Sequence, residues 1–199
     1  MEQAIAFLTA QDEVFEKLHL QYGNPFIPSR PQGFVTLCKL ILEQQVSIDS
    51  AKACFVKIES KLGEVTSQTI ANCAEEDLKS CGVSRQKISY LKALSKAVSE
   101  DLDLESLATQ SADEVRNQLI KIKGIGHWTI DVYLMFSLQS PDIIPLGDIA
   151  VVNTIKELFD IHTKEEMETL SEKWKPHRTM ATFMLWHHYL EKRNRKPMV

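Results

Sequence analysis

Apolar residues recur at helical spacing through most of this sequence. One stripe that would cover a single face of a helix comprises Phe34, Leu37, Cys38, Ile41 and Leu42. Polar residues, glycine and proline divide the chain into roughly ten such pieces. Glycine and proline number only seven each in 199 residues, so few turns separate the pieces. The periodicity therefore predicts an all-α fold.

Capping residues and glycines predict where individual helices begin and end. The predicted helices cover Ala4–Leu20 with a break near Thr9, Phe34–Leu42, Ser47–Leu62, Ala74–Ser80, Arg85–Val98, and a helix that Ser111 and Glu114 begin with a capping box. No fixed-period repeat, low-complexity tract or flexible linker interrupts them. We therefore expect one domain over residues 1–199, in which any lobes pack together.

Composition and charge narrow the class of protein. An apolar share of 44% and a charged share of 25% are those of a globular chain and exclude disorder or a coiled-coil rod. The net charge of −4 gives no general attraction to polyanions. Basic residues nevertheless dominate two windows: residues 116–130 have three and no acid, and residues 172–199 have seven against two acids. On charge alone, solvated helix faces are the preferred interpretation of these windows; nucleic-acid binding is permitted and not implied.

The cysteines and the N-terminal stretch bear on location. All four cysteines lie within the first 81 residues and none forms a CxxC pair. The first residues lack a basic region ahead of an apolar one, and no apolar run approaches membrane-spanning length. We expect an intracellular protein with buried, inert thiols and no membrane association. The neighbouring pair His187 and His188 lacks ligand spacing, so no metal site is predicted.

A tight turn between two predicted helices has the pattern of an anion site. Residues 115–136 read VRNQLIKIKGIGHWTIDVYLMF, in which the first helix is predicted to end at Lys123 and Gly124, Ile125 and Gly126 form the turn. Glycines permit backbone angles that other residues avoid, and they let a phosphate approach closely. The amides that follow lie at a helix N-terminus, which favours negative charge. We expect Ile125 to turn inward as the anchor, although an ordinary glycine-capped helix corner has the same pattern.

Asp148 follows Gly147 and lies twenty residues after Trp128. Its position before the run IAVVNTIKELF is typical of a helix N-cap. An N-terminal helix dipole also favours an ionised carboxylate. The intervening segment, with Pro141 and Pro145, is long enough to return the chain beside Trp128.

These segments together resemble one family. The stretch LIKIKGIGHWTIDVYLMF, with Asp148 after it, is similar to the helix-hairpin-helix of the HhH-GPD DNA glycosylase superfamily, and within it to the DNA-3-methyladenine glycosylase II branch. LILEQQVSIDSA resembles the corner between two early helices of that family, and WKPHRTMATFMLW resembles the start of its final helix. The matches run in family order over about residues 34–190. Lys123 departs from the pattern, because many members have proline there.

The resemblance implies a compact two-lobed helical HhH-GPD fold with a cleft between the lobes and the helix-hairpin-helix at about residues 112–138. It implies a glycosylase that flips alkylated purines out of double-stranded DNA and hydrolyses their N-glycosidic bond, which initiates base excision repair. The implied catalytic residue is Asp148, and the implied base pocket contains Trp128, Gln44 and His177. The implied DNA contacts are Gln45, which enters the duplex as a wedge, Ser47, Lys123, Gly124, Ile125, Gly126, Thr129 and Arg178.

The proposed chemistry needs one carboxylate. An alkylated purine already carries positive charge and leaves without a general acid, while Asp148 stabilises the oxocarbenium-like sugar. Trp128 would stack on the electron-poor base. Family members that also cleave the strand have a Schiff-base lysine where Trp128 stands, so we expect a monofunctional hydrolase.

We expect no cofactor. An iron-sulfur cluster of the kind some relatives hold needs four closely spaced C-terminal cysteines, which the sequence lacks. The resemblance does imply a cation, often held by the hairpin carbonyls. A monomer is the family expectation.

Alternatives remain at several positions. The whole chain is also compatible with a non-catalytic helix-hairpin-helix module that binds DNA. Asp148 is the residue that distinguishes the enzyme from such a module. Trp128 is compatible with simple core packing, and Gln44 and Gln45 with an ordinary helix end. Arg178 would bind a phosphate, brace the loop of Asp148 or form an inter-helix salt bridge. Pro176 suits the first turn of the last helix.

His177 stands where a large aromatic residue is common in the family. This departure leaves the base preference of the pocket open.

Overall fold

The computed structural model describes residues 1–195, and these are helical with no β-strand. The all-α prediction is confirmed. The α-helices are α1 (Glu2–Gln11), α2 (Glu13–Tyr22), α3 (Phe34–Glu43), α4 (Ile48–Leu62), α5 (Ser67–Asn72), α6 (Glu75–Ser80), α7 (Arg85–Glu100), α8 (Ala112–Leu119), α9 (His127–Phe136), α10 (Ile149–Phe159), α11 (Lys164–Glu172) and α12 (Arg178–Glu191). A short 3-10 helix, Ser106–Thr109, precedes α8. Lys196, which belongs to the C-terminal basic window, lies outside the described residues.

The chain divides into two compact units. The central unit comprises Arg30–Tyr133, and the terminal unit comprises Met1–Ser29 with the chain from Leu134 onward. The boundary falls inside α9. The single domain and the cleft implied by the resemblance stay predictions.

The terminal unit is built around α12. This helix packs against α1, α2 and α10, and the residues of α12 from Thr179 to Trp186 are all buried. Its near-complete burial explains why its sequence is apolar on more than one face. Beside it, the rings of Phe15 and Phe159 lie 5.2 and 5.6 Å from that of Trp174, which is fully buried.

The central unit is built around α3 and α7. Helix α3 packs against α4 and α7, while α5 and α6 pack on α7. Four of the five residues in the predicted stripe of α3 are buried, and Phe34 is half-buried. Leu91 and Leu94 supply the buried face of α7. These helices support both the corner that follows α3 and the turn that precedes α9.

Most predicted helix boundaries are confirmed within a residue or two. Ser47 caps α4 and Gly63 ends it, and Ser111 forms the capping box of α8 with Glu114. The first break is at Asp12 rather than near Thr9, because the Asp12 carboxylate accepts a hydrogen bond from the Val14 amide and begins α2.

Two further predictions are wrong in detail. Helix α12 begins at Arg178, so Pro176 precedes it instead of lying in its first turn. Helix α8 ends at Leu119, whereas the sequence predicted a helix through Lys123. Beyond it the chain tightens into turns, with hydrogen bonds from Lys121 to Gln118 and from Ile122 to Leu119. These turns bury both Ile122 and Ile125.

Helices α5 and α11 were not predicted individually. Each begins with a capping box, formed by Thr66 with Thr69 and by Thr163 with Glu166. Among residues 1–195, no helix is both long and apolar enough to cross a membrane.

Candidate active site

The carboxylate of Asp148 begins α10 and is held by three donors. Its Oδ1 accepts hydrogen bonds from the amides of Ala150 (2.9 Å) and Val151 (3.1 Å) and from the indole Nε1 of Trp186 (3.0 Å). The residue is half-buried. The predicted capping role is therefore confirmed, and the position at a helix N-terminus favours the negative charge. Three donors on one oxygen fix the orientation of the carboxylate.

The return loop, residues 137–147, is bound at residues 140–143 to the first turns of α12. Thr179 donates its amide to Pro141 O (3.0 Å) and its hydroxyl to Ser140 O (2.6 Å), and the same hydroxyl accepts from the Ile143 amide (2.9 Å). Thr182 donates to Ile143 O at 3.3 Å. These bonds satisfy buried polar groups of the loop and fix the path of the chain toward Asp148.

Arg178 is bound to this loop through Asp142. Its Nε and one guanidinium nitrogen lie 2.8 and 2.9 Å from the two carboxylate oxygens of Asp142, in a bidentate arrangement. Burial opposes the charge of Asp142, but the hydrogen bonds and the positive charge of Arg178 outweigh it and lower the pKa of Asp142. A more distant Glu172 carboxylate lies 3.6 Å away. Among the alternatives for Arg178, this geometry favours a brace on the loop of Asp148.

Trp186 is the residue that sequence reasoning missed. Its indole bonds to Asp148, and its ring packs at 5.8 Å from Phe136 and 6.1 Å from Phe183. Trp186 is the last residue of the segment WKPHRTMATFMLW and lies eight residues after Arg178. Residues four apart share a helix face, so Arg178, Thr182 and Trp186 form one row. That spacing was the available signal.

In the hairpin turn, the two glycines have different roles. Gly124 adopts a left-handed φ of 91°, and a Cβ there would collide with the ring of Tyr90 on α7. Gly126 has no such φ, and a Cβ there would meet no atom within 4 Å. Its carbonyl accepts the first helical hydrogen bond of α9, from Ile130. Ile125 is 3% exposed, which confirms that it turns inward.

Two helices of the hairpin are joined by an ion pair. Arg116 on α8 donates to Asp131 on α9 at 2.8 Å, and it also lies 3.4 Å from Asp113. Burial raises the pKa of Asp131, and the Arg116 interaction only partly opposes this shift. One of the three basic residues of this window is therefore paired within the protein, while Lys121 and Lys123 are exposed.

The corner between α3 and α4, Gln44–Ser47, is tied to the hairpin. The Gln44 amide nitrogen donates to Gly124 O at 2.9 Å and to the Thr129 hydroxyl at 3.0 Å. Gln45 is exposed with a φ of 57°, and Ser47 is exposed and caps α4. Thr129, an implied DNA contact, has a buried side chain.

The two remaining pocket candidates lie in different units. Trp128 is half-buried in the first turn of α9, in the central unit. His177 is half-buried just before α12, in the terminal unit, and its ring meets that of Phe7 edge-on at 5.1 Å. Their roles stay predictions.

Among the described residues, no group of three or more histidine, cysteine, aspartate or glutamate side chains is arranged to hold a metal ion. The hairpin carbonyls of Ile122 and Gly124 accept hydrogen bonds from Ile125 and Gln44. A carbonyl oxygen has two lone pairs, so each of these carbonyls can accept one further contact.

Comparison with known proteins identifies the family. The family model of the HhH-GPD superfamily of base excision DNA repair proteins matches residues 38–177. This protein belongs to the HhH-GPD superfamily. The match includes the corner, the hairpin, Trp128 and Asp148. It ends at residue 177, so it contains only the first four residues of the segment WKPHRTMATFMLW.

Individual relatives agree with this HhH-GPD assignment. The chain is 31% identical over 75% of its length to a Bacillus subtilis protein named putative DNA-3-methyladenine glycosylase YfjP, of which it spans 56%. It is 30% identical over 94% of its length to DNA-3-methyladenine glycosylase 1 of Schizosaccharomyces pombe, of which it spans 86%.

The fold comparison gives the same result. A solved structure of a Schizosaccharomyces pombe 3-methyladenine DNA glycosylase in complex with abasic DNA superposes with a TM-score of 0.83 and 30% identity. The superposition covers 92% of this chain and 95% of that one. The HhH-GPD fold predicted from the sequence is confirmed.

Proposed function

We propose that this HhH-GPD protein is a monofunctional DNA glycosylase. It hydrolyses the N-glycosidic bond of alkylated purines, of the 3-methyladenine type, in double-stranded DNA and so initiates base excision repair. The observation that carries the proposal is the Asp148 carboxylate, held by two amides and the Trp186 indole at the start of α10. The names of the relatives support the substrate class.

The reaction starts from an alkylated purine that carries positive charge while it is attached to the sugar. The bond between the sugar C1′ and the purine nitrogen breaks, and its electron pair leaves with the purine, which becomes neutral. The sugar becomes oxocarbenium-like, and the fixed negative charge of Asp148 stabilises it. Water adds to C1′ and loses a proton to solvent, which leaves an abasic site. Trp128 stacks on the electron-poor base, an attraction of about 0.5 to 2 kcal/mol.

DNA binding is assigned to the hairpin and the corner. The amides that follow Gly124 bind a backbone phosphate, and Lys123 adds a charge. A monovalent cation held by the hairpin carbonyls would supply further positive charge beside that phosphate. Gln45 fills the space left by the flipped nucleotide. The protein acts inside the cell as a monomer.

The decisive variant is Asp148→Asn, because asparagine keeps the capping oxygen and removes the charge. We expect base release from methylated duplex DNA to fall by about 10²-fold or more, the scale for losing one electrostatic stabiliser. Affinity for a duplex with a stable abasic analogue should persist. Asp12→Asn is the matched control, since Asp12 caps α2 in the same manner, and it should leave base release unchanged.

The alternatives give different results. Undiminished base release by Asp148→Asn would remove Asp148 from the reaction. If the wild-type protein binds the abasic analogue and releases no base, it is a DNA-binding module. Trapping of a covalent adduct by borohydride would indicate a lyase, and we expect none.

A further inference from the structure

The corner Gln44–Ser47 has a backbone that needs external support. Gln45 lies in the left-handed region of backbone conformation, at a φ of 57°. Residues other than glycine adopt this conformation at a cost in free energy. Both Gln45 and Val46 are exposed, and Val46 is an apolar side chain with 47% exposure. A strained, exposed tip keeps one conformation only where surrounding contacts over-determine it.

The Gln44 carboxamide provides such a contact, and its partners belong to the hairpin. Its nitrogen is 2.9 Å from Gly124 O, which accepts hydrogen bonds and cannot donate them, so the nitrogen and not the oxygen faces the hairpin. The second contact, 3.0 Å to the Thr129 hydroxyl, uses the other amide hydrogen. Thr129 is 1% exposed, so water competes little for this bond. We call these two bonds the Gln44 clasp.

Helix α7 holds both sides of the clasp. The Lys87 ammonium donates to Leu42 O at 2.7 Å, near the end of α3, and burial lowers the pKa of Lys87. One turn further along α7, the Tyr90 ring lies against Gly124. The corner and the hairpin thus rest on one helix, and the clasp joins them directly.

We infer that Gln44 is a positioning residue that couples the corner to the hairpin. When the hairpin binds a phosphate, the clasp fixes where the Gln45 wedge enters the duplex. The inference rests on the proposed function, and it changes the role of Gln44, which the resemblance placed in the base pocket. Both amide hydrogens of Gln44 are engaged with the protein, so Gln44 does not donate to a flipped base.

The first test measures binding, without turnover. Gln44→Leu keeps the size of the side chain and removes both bonds. We expect the preference for a duplex with an abasic analogue over an intact duplex, measured by fluorescence anisotropy, to fall about tenfold, the scale of one to two hydrogen bonds. Affinity for the intact duplex should stay within about twofold, since the hairpin remains.

A double-mutant cycle tests whether the effect passes through the clasp. Thr129→Val removes one acceptor and should lower the same preference by a smaller factor. Adding it to Gln44→Leu should cause little further loss, because residues in one network are not additive. Gln32→Leu is the matched control, because the Gln32 amide nitrogen also makes two hydrogen bonds within the central unit, to the backbone carbonyls of Leu104 and Glu105. It should leave the preference unchanged.

Kinetics separate positioning from base contact. In single-turnover assays on 7-methylguanine, Gln44→Leu should slow release from a paired lesion about tenfold. Release should approach the wild-type rate when the lesion lies opposite an abasic analogue, where flipping costs less. Equal slowing on both substrates would place Gln44 against the base and overturn the inference.

The remaining outcomes are also distinct. If wild-type protein is active and Gln44→Leu retains both the binding preference and the paired-lesion rate, the clasp has no positioning role while the proposed function stands. If no alkylated base is released and Gln44→Leu still loses the preference, the proposed function fails and the coupling stands. Should Gln44→Leu not fold, Thr129→Val serves as the test variant.

Discussion

At the scale of the residue, the candidate site depends on how one carboxylate is held. Asp148 accepts hydrogen bonds from two backbone amides, the local donors that an N-capping aspartate uses, and from the indole of Trp186, which lies 38 residues further along the chain. The amides belong to local structure and were predictable from the sequence. The indole opposes rotation of the carboxylate, and under the proposed function it would set the position of the charge relative to the sugar.

We expect Trp186→Phe to slow base release about tenfold and to leave affinity for the abasic analogue within about twofold, because the variant removes one hydrogen bond to a charged group. Single-turnover rates and anisotropy measure the two effects.

Trp174→Phe is the matched control for loss of ring volume. The Trp174 indole nitrogen is buried with no hydrogen-bond partner among the described residues, so this variant should cost stability alone. An equal rate loss in both variants would contradict a specific role for the Trp186 bond.

At the scale of the element, α12 serves as the support of the return loop. Arg178, Thr179 and Thr182 bind residues 140–143, and Trp186 then meets Asp148. The row at intervals of four follows from helix geometry alone. Which loop the row binds does not follow from it, because the partners are 36 to 39 residues away in sequence.

The Asp142–Arg178 pair predicts a pH-dependent stability. The pKa of Asp142 is lowered in the folded state, so its contribution is present above the unfolded pKa of about 3.9 and is lost as pH falls through the folded value. We expect Asp142→Asn to cost about 1 to 2 kcal/mol at pH 7, and the difference from wild type to shrink below about pH 4. Thermal melting of the wild type and the variant at pH 7 and below about pH 4 measures this difference in stability.

The control for this prediction is Asp160→Asn. Asp160 is 98% exposed beside His162, and exposed pairs contribute little. Asparagine also tolerates the left-handed backbone of Asp160. A wild-type melting temperature for Asp142→Asn at pH 7 would show that the pair does not brace the loop.

At the scale of the whole molecule, the proposed DNA binding has to be local, because the net charge is −4. The tertiary structure shows which basic residues of the two windows are paired within the protein and which are exposed. Arg116 and Arg178, which belong to the two basic windows, are paired with Asp131 and Asp142. Lys121 and Lys123 are exposed beside the hairpin.

We expect affinity for the abasic duplex to fall roughly 10- to 100-fold between about 50 and 200 mM salt, because phosphate contacts release counterions. Lys123→Gln should lower the slope of log affinity against log salt by about one. Lys79→Gln, which changes an exposed lysine of α6, should leave the slope unchanged. An affinity independent of salt would contradict phosphate binding by the hairpin.

The sequence by itself determined what depends on neighbours along the chain. Helical periodicity predicted the all-α class and capping residues predicted most helix ends, since these signals act within a few residues. The glycine turn and Asp148 indicated a candidate site, whose role stays a prediction. The predicted end of α8 at Lys123 was wrong, because burial of Ile122 and Ile125 overrode local helix propensity.

Only the tertiary structure decided the pairings across long stretches of chain. Trp186 with Asp148, Arg178 with Asp142, and Gln44 with Gly124 and Thr129 are separated by 36 to 85 residues. A single hydrogen bond leaves no periodic trace in a sequence, because it depends on which helix faces pack together and at what distance. The chain therefore specifies its helices locally and its site through packing.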